Sequence, residues 1–156
     1  MENKQPIIQV GFGAGDITAD WPIGLQGLGN EKTRISTENY GRIYLYCVAI
    51  TDEKGETALI MSIDAGGGGF GEDIFPALEE KFGISRDHMI LSALHQHSTP
   101  YGGERYEALL VSAAQEAVAQ ALAEGKDYLN MRAARVEGIR NCVLNKIDLF
   151  GSAGKG

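Results

Sequence analysis

The sequence predicts an α/β fold: a β-hairpin followed by βαβ units, forming a mixed sheet with helices packed on it. Three observations predict it. Between Arg42 and Asp64, two runs rich in β-branched and aromatic residues flank the turn segment TDEKGE. From Thr57 onward, strand-like runs alternate with two segments of helical period. Glycines then close those helical segments, Gly83 after the first and Gly125 after the second.

Taken in order, PIIQVGFG reads as a short strand running into glycine. The segment from Asp16 to Gly41 contains Pro22, several glycines and no sustained period, so it is expected to be a long irregular loop of the kind that lines sites. Arg42 to Ile50 and Thr57 to Asp64 form the hairpin strands. AGGGGFG is a glycine loop. Ile74, Phe75, Leu78 and Phe82 then recur at helical spacing over 73–82, with Pro76 expected in the first turn, where a missing N–H costs nothing. HMILSAL is a further apolar strand. The longest helical pattern spans Glu104 to Glu124, with Leu110, Ala114, Ala117, Val118, Ala121 and Leu122 in one stripe. YLNMRAARVEGI is a last strand candidate, and GSAGKG (151–156) reads as a flexible tail after a single α/β region spanning 1–150.

Composition narrows the partners. With 14 Lys and Arg against 21 Asp and Glu, the chain carries a net charge of −7 and no local basic patch, so nucleic acid and anionic membrane surfaces are not expected partners. No apolar run is long enough to span a bilayer. MENKQPIIQVG shows no signal-peptide pattern, so a cytoplasmic location is the simplest expectation, secretion requiring a leader already removed. Cys47 and Cys142 lie far apart and are expected to be buried free thiols.

The chemistry concentrates in MILSALHQHSTPYGG. Two of the chain's three histidines, His95 and His97, stand one residue apart where an apolar strand ends. On extended backbone both side chains would point to one side, where two imidazoles can share a metal, or one can hold it while the other handles a proton. Zinc suits neutral imidazole. The alternative is a pair of loop histidines that hydrogen-bond locally. If the strands ending at Asp64 and near His95 are parallel neighbours, these residues emerge on the same sheet edge, where α/β sheets gather ligands. His88, in the polar turn SRDH, is expected to be solvated.

Other patterns imitate sites. GFGAGD looks like a dinucleotide fingerprint, but DITADWPIG follows instead of a helix, so the glycines are expected to permit a tight turn. AGGGGFG lacks a following Gly-Lys-Ser/Thr, and Glu72 and Asp73 would repel phosphate, so it is expected to let backbone approach a ligand. No Gly-x-Ser-x-Gly elbow is present.

Four motifs in order resemble the N-terminal part of the neutral/alkaline (non-lysosomal) ceramidase family. VGFGAGDIT resembles its Gly-x-Gly-x-x-Asp-Ile-Thr opening. EKTRISTENYGRIYLYCVAI resembles its Gln-Lys-Thr…Gly-Ile-His-x-Arg segment, with Arg42 at the arginine. MSIDAG resembles its Ser/Thr-x-Asp-Leu-Gly strand end, and LSALHQHSTPYGG its Leu-Ser-Ala-Thr-His-Thr-His-Ser-Gly-Pro-Gly-Gly. The resemblance implies a zinc amidohydrolase that splits an N-acyl, lipid-like substrate such as ceramide. It makes His95 a zinc ligand and His97 the neighbour that assists proton transfer, with Asp64, Arg42 and Lys146 as supporting or substrate-side residues.

Two departures stand out. Thr99-Pro100-Tyr101-Gly102-Gly103 is longer and bulkier than the family's Gly-Pro-Gly-Gly, and Asn145-Lys146 replaces an Asn-Arg, exchanging a bidentate fork for a point charge. The family's other ligands, a His, a Glu and a Tyr, come from sequence beyond this length. A truncated form inactive alone, or a half-site completed by another copy in a homo-oligomer, is therefore expected. A different class also stays open: a non-catalytic α/β binding or structural domain that keeps the histidines without metal.

Overall fold

A computed structural model describes residues 8–30, 32–67 and 69–127. Its elements are β1 (Gln9–Asp16), β2 (Ile23–Gly24), β3 (Ile35–Ser36), β4 (Tyr44–Thr51), β5 (Thr57–Ile63), α1 (Gly71–Phe82), β6 (Met89–Ala93), α2 (Glu104–Ala123) and β7 (Lys126–Asp127). One sheet runs β6-β5-β4-β1-β7; β2 and β3 form a separate small hairpin. β6 is parallel to β5 and the other pairs are antiparallel, so the sheet is mixed as expected. The candidate strand at YLNMRAARVEGI, the tail 151–156 and Cys142 lie outside the described residues.

The hairpin follows from alternation. Leu45, Cys47 and Ala49 of β4 and Leu59, Met61 and Ile63 of β5 are buried on one face. Both helices close over that face: Ile74, Phe75 and Leu78 of α1 and Leu110, Ala114, Ala117, Val118 and Ala121 of α2 belong to the same core. The opposite face is left exposed among the described residues. Phe12, Val48, Ile60 and Ile90 pair in one row across four strands, and Phe12, Ile60 and Ile90 are exposed. Cys47 is a free, buried thiol, and burial pushes its pKa up to about 12, which makes it inert at neutral pH.

The helices differ from expectation in detail. α1 begins at Gly71, so Pro76 is inside the helix rather than in its first turn, and one intrahelical bond is forfeited there. Burial of Ile74, Phe75 and Leu78 against the sheet outweighs that loss. Gly83 ends α1 in the left-handed region, φ 68°, its N–H donating to the Glu79 carbonyl. Leu122 of the α2 stripe is exposed instead of buried, while Tyr106 and Ala113 are buried.

The glycines of GFGAGD form no tight turn. They lie inside β1, where Gly11, Gly13 and Gly15 point to the helix side. A β-carbon at any of them would run into the backbone of α2 at Ala121, Ala117 and Ala113 respectively. Period two on the strand thus meets period four on the helix, and α2 lies antiparallel to β1 with no side chain between them.

This seating predicts the effect of Gly13→Ala. Strand propensity and unfolded-state entropy favour alanine by about 0.5–1 kcal/mol. The new methyl meets helix backbone that cannot rotate away, and overpacking of that kind costs about 1–3 kcal/mol or more. The thermal midpoint followed by circular dichroism should fall; a rise would contradict the contact.

Candidate functional site

The carboxyl ends of β1, β5 and β6 and the start of β4 share one edge of the sheet. The parallel ladder continues past β6: Leu94 N–H donates to the Ile63 carbonyl and Gln96 N–H to that of Ala65, both at 3.1 Å. Asp64 and the two histidines therefore emerge together, as the sequence suggested. Between Leu94 and Gln96, His95 adopts φ 62°, the sole non-glycine in the left-handed region among the described residues. That conformation costs about 1–2 kcal/mol and persists only where its surroundings hold it.

The turn, not an extended strand, brings the imidazoles together. Their Nε2 atoms are 3.2 Å apart, with ring centroids 4.9 Å apart and planes at 64°. At that distance the two nitrogens share a proton or face a common cation. Two nitrogens bound to one tetrahedral zinc at about 2.0–2.1 Å stand about 3.3–3.4 Å apart. The pair thus fits two corners of such a site. Among the described residues no group of three or more His, Cys, Asp or Glu side chains is assembled to hold a metal. Gly67, φ 119°, lies beside His95 Nδ1.

A latch holds this loop. Residues 17–41 are not wholly irregular: β2 and β3 pair, and the strand direction of β2 continues onto the histidine loop. Tyr101 N–H donates to the Gly24 carbonyl, Leu25 bridges Pro100, and Gln26 N–H donates to the Thr99 carbonyl. Buried Gln26 reinforces the pairing, its Nε2 donating to Thr99 Oγ1 at 3.0 Å and to the Pro100 carbonyl at 2.9 Å. The glycine loop approaches protein here: a β-carbon at Gly66 would strike the Gln96 carbonyl and the Gln26 side chain. Arg34 closes the latch from outside, donating to the His97 carbonyl, to Ser98 Oγ at 2.7 Å and to the Gln26 carbonyl at 3.2 Å.

The remaining sequence-derived residues separate from the pair. The Asp64 carboxylate accepts the Tyr44 N–H at 3.0 Å, and Arg42 is paired with Asp16 at 2.6 Å. Both line a cleft of about 450 Å³ beside the histidine loop, together with Gln96 and Ser98. Lys146 lies outside the described residues. His88 is exposed in a helical turn, as expected. Arg34 and Gln26 escaped sequence reasoning because neither stands in a pattern, although a glutamine among the glycines of GLQGLG is the kind of polar residue that needs partners when buried.

No sequence-family profile and no curated protein sequence matches this chain. Solved structures do. Neutral ceramidase from Pseudomonas aeruginosa is similar over 80% of this chain and 23% of its own length, with a TM-score of 0.72 and 17% identity. A structure described as ceramidase complexed with C2 is similar over 79% of this chain and 22% of its own, with a TM-score of 0.70 and 18% identity. The fold is shared, and the chain spans less than a quarter of the length of these structures, consistent with a match to an N-terminal part. No described helix is long and apolar enough to cross a membrane.

The Asp16–Arg42 pair carries a pH signature. Burial raises the Asp16 carboxyl, but hydrogen bonds from Thr18 and the Arg42 guanidinium outweigh it and leave the group below its usual range. A depressed carboxylate stabilises the fold above its unfolded pKa, about 3.9, and loses that contribution as pH falls through the lower folded value. Asp16→Asn should therefore flatten the loss of stability below about pH 4 in denaturant titrations. An acid limb as steep as that of the parent chain would contradict the assignment.

Proposed function

We propose that the chain is the metal-bearing part of a zinc-dependent hydrolase of an N-acyl amide bond, ceramidase-like, acting on a lipid-like substrate. The convergence of the His95 and His97 Nε2 atoms at 3.2 Å, on a fold shared with solved ceramidase structures, supports this reading. His95, on the strained turn, would hold the metal through Nε2. His97, whose carbonyl is gripped by Arg34, presents its own Nε2 to the same point, where it can take up and return a proton during amide cleavage. When bound, zinc polarises an amide carbonyl and brings the pKa of water toward neutrality. Arg42 and Asp64, lining the neighbouring cleft, would stand on the substrate side, and so would Lys146.

His95 supplies one protein donor, and a catalytic zinc site uses about three protein ligands plus water. The rest would come from chain beyond residues 8–127 or from a second copy. Turnover is accordingly assigned to the completed protein and metal capture to this part.

Elemental analysis of protein purified without a histidine tag tests the reading. Zinc should be present, or be taken up on addition, and His95→Ala should remove it. In the completed, active protein His97→Ala should retain most of the zinc yet lower turnover by about 10²–10⁴-fold. If His97→Ala strips the zinc while His95→Ala keeps it, the two roles are reversed. If the parent chain takes up none, the non-catalytic binding or structural domain is the correct reading.

A further inference from the structure

We propose that Arg34 is a positioning residue that locks the His95–His97 turn into its metal-binding geometry; this rests on the zinc reading above. The guanidinium reaches three acceptors on two separate segments. Nη1 donates to the Gln26 carbonyl at 3.2 Å, and Nη2 donates to Ser98 Oγ at 2.7 Å and to the carbonyl of His97 itself. These are charge-assisted bonds from a planar, rigid fork, and a lysine cannot reproduce that geometry.

The base of the fork is fixed as well. Arg34 N–H donates to the Asn30 carbonyl at 2.9 Å, and the Arg34 carbonyl accepts Leu25 N–H at 2.9 Å. The side chain is therefore anchored on one hairpin and ends on the loop that carries both imidazoles. Gripping the His97 carbonyl restricts the peptide that follows the second imidazole. On the other side, the Leu94 N–H donates to the Ile63 carbonyl, so the turn is pinned at both ends. Between those pins His95 keeps φ 62°, a conformation an untethered loop would abandon. Both imidazoles are exposed, and the closest packing on them is at Gly27, where a β-carbon would strike the His97 ring. Outer partners that orient metal ligands typically alter metal affinity by about 10–100-fold when removed.

The test uses the intact chain with Arg34→Ala and Arg34→Lys, read in two ways. Without metal, hydrogen exchange is followed at the Gln26, Gln96 and Tyr101 amides, all bonded across or beside the loop. Arg34→Ala should speed their exchange at least tenfold while the β4 and α2 amides stay unchanged. With metal, zinc affinity measured by chelator competition should fall by about 10–100-fold in Arg34→Ala and by less in Arg34→Lys. Unchanged exchange overturns the proposal. Faster exchange with unchanged zinc affinity also overturns it, because Arg34 would then stabilise the loop without positioning the pair. Faster exchange spread through β4 and α2 marks a merely structural role and counts against it too. If the parent chain binds no zinc, the hydrolase reading fails, and the locking role of Arg34 is judged by the metal-free exchange alone.

Discussion

The architecture depends on how closely α2 lies on β1. Gly11, Gly13 and Gly15 leave a bare strip on the strand, and the backbone at Ala121, Ala117 and Ala113 fills it. Interiors are packed to crystal-like density, so a contact without intervening side chains fixes the helix in position and direction. With α2 running antiparallel to β1, its first residue stands near the carboxyl end of that strand. The chain leaving β6 must then pass the ends of β5 and β4 to reach it, because the sheet order is β6-β5-β4-β1. That path carries His95, His97 and the Thr99-Pro100 segment along the edge where Asp16, Arg42 and Asp64 also lie. The place of the site thus follows from a packing constraint on the other side of the sheet.

Place is not geometry, and the second requirement is met by the latch. The β2–β3 hairpin contributes main-chain bonds to residues 99–101, Gln26 adds two buried side-chain bonds, and Arg34 adds a charged clamp. Together they hold His95 in a backbone region that L-residues avoid. The left-handed residue lets two imidazoles one position apart aim their Nε2 atoms at one point rather than lie side by side. Strain at one residue and over-determination around it are what a preorganised binding centre requires.

Much of this was legible in the sequence. The hairpin and both helices followed from period alone, because alternating and helical stripes reflect the single core they form. The shared edge of Asp64 and the histidines followed from the parallel crossover. The glycine strip was misread as a turn, since glycine in a strand signals close backbone approach only when the approaching helix is known. Pro76 is expected in the first turn because nothing local marks Gly71, two residues before the expected start, as the helix start; Phe70 is N-cap without a side-chain cap bond. The latch was invisible: two-residue strands have no periodicity, and Arg34 acts through three acceptors from 8 to 64 residues away. Arg42 and Asp64 lie on the same sheet edge as the histidines and engage Asp16 and the Tyr44 amide, contacts that no sequence pattern announces.

Anomalous diffraction at the zinc edge from zinc-soaked crystals reads out whether one metal ion sits at the meeting point of the two imidazoles. A peak bonded to His95 Nε2 at about 2.0–2.1 Å is expected, with His97 Nε2 reaching it through one bound water. A strong peak elsewhere on the molecule, or none at the imidazole pair at full zinc saturation, would contradict it.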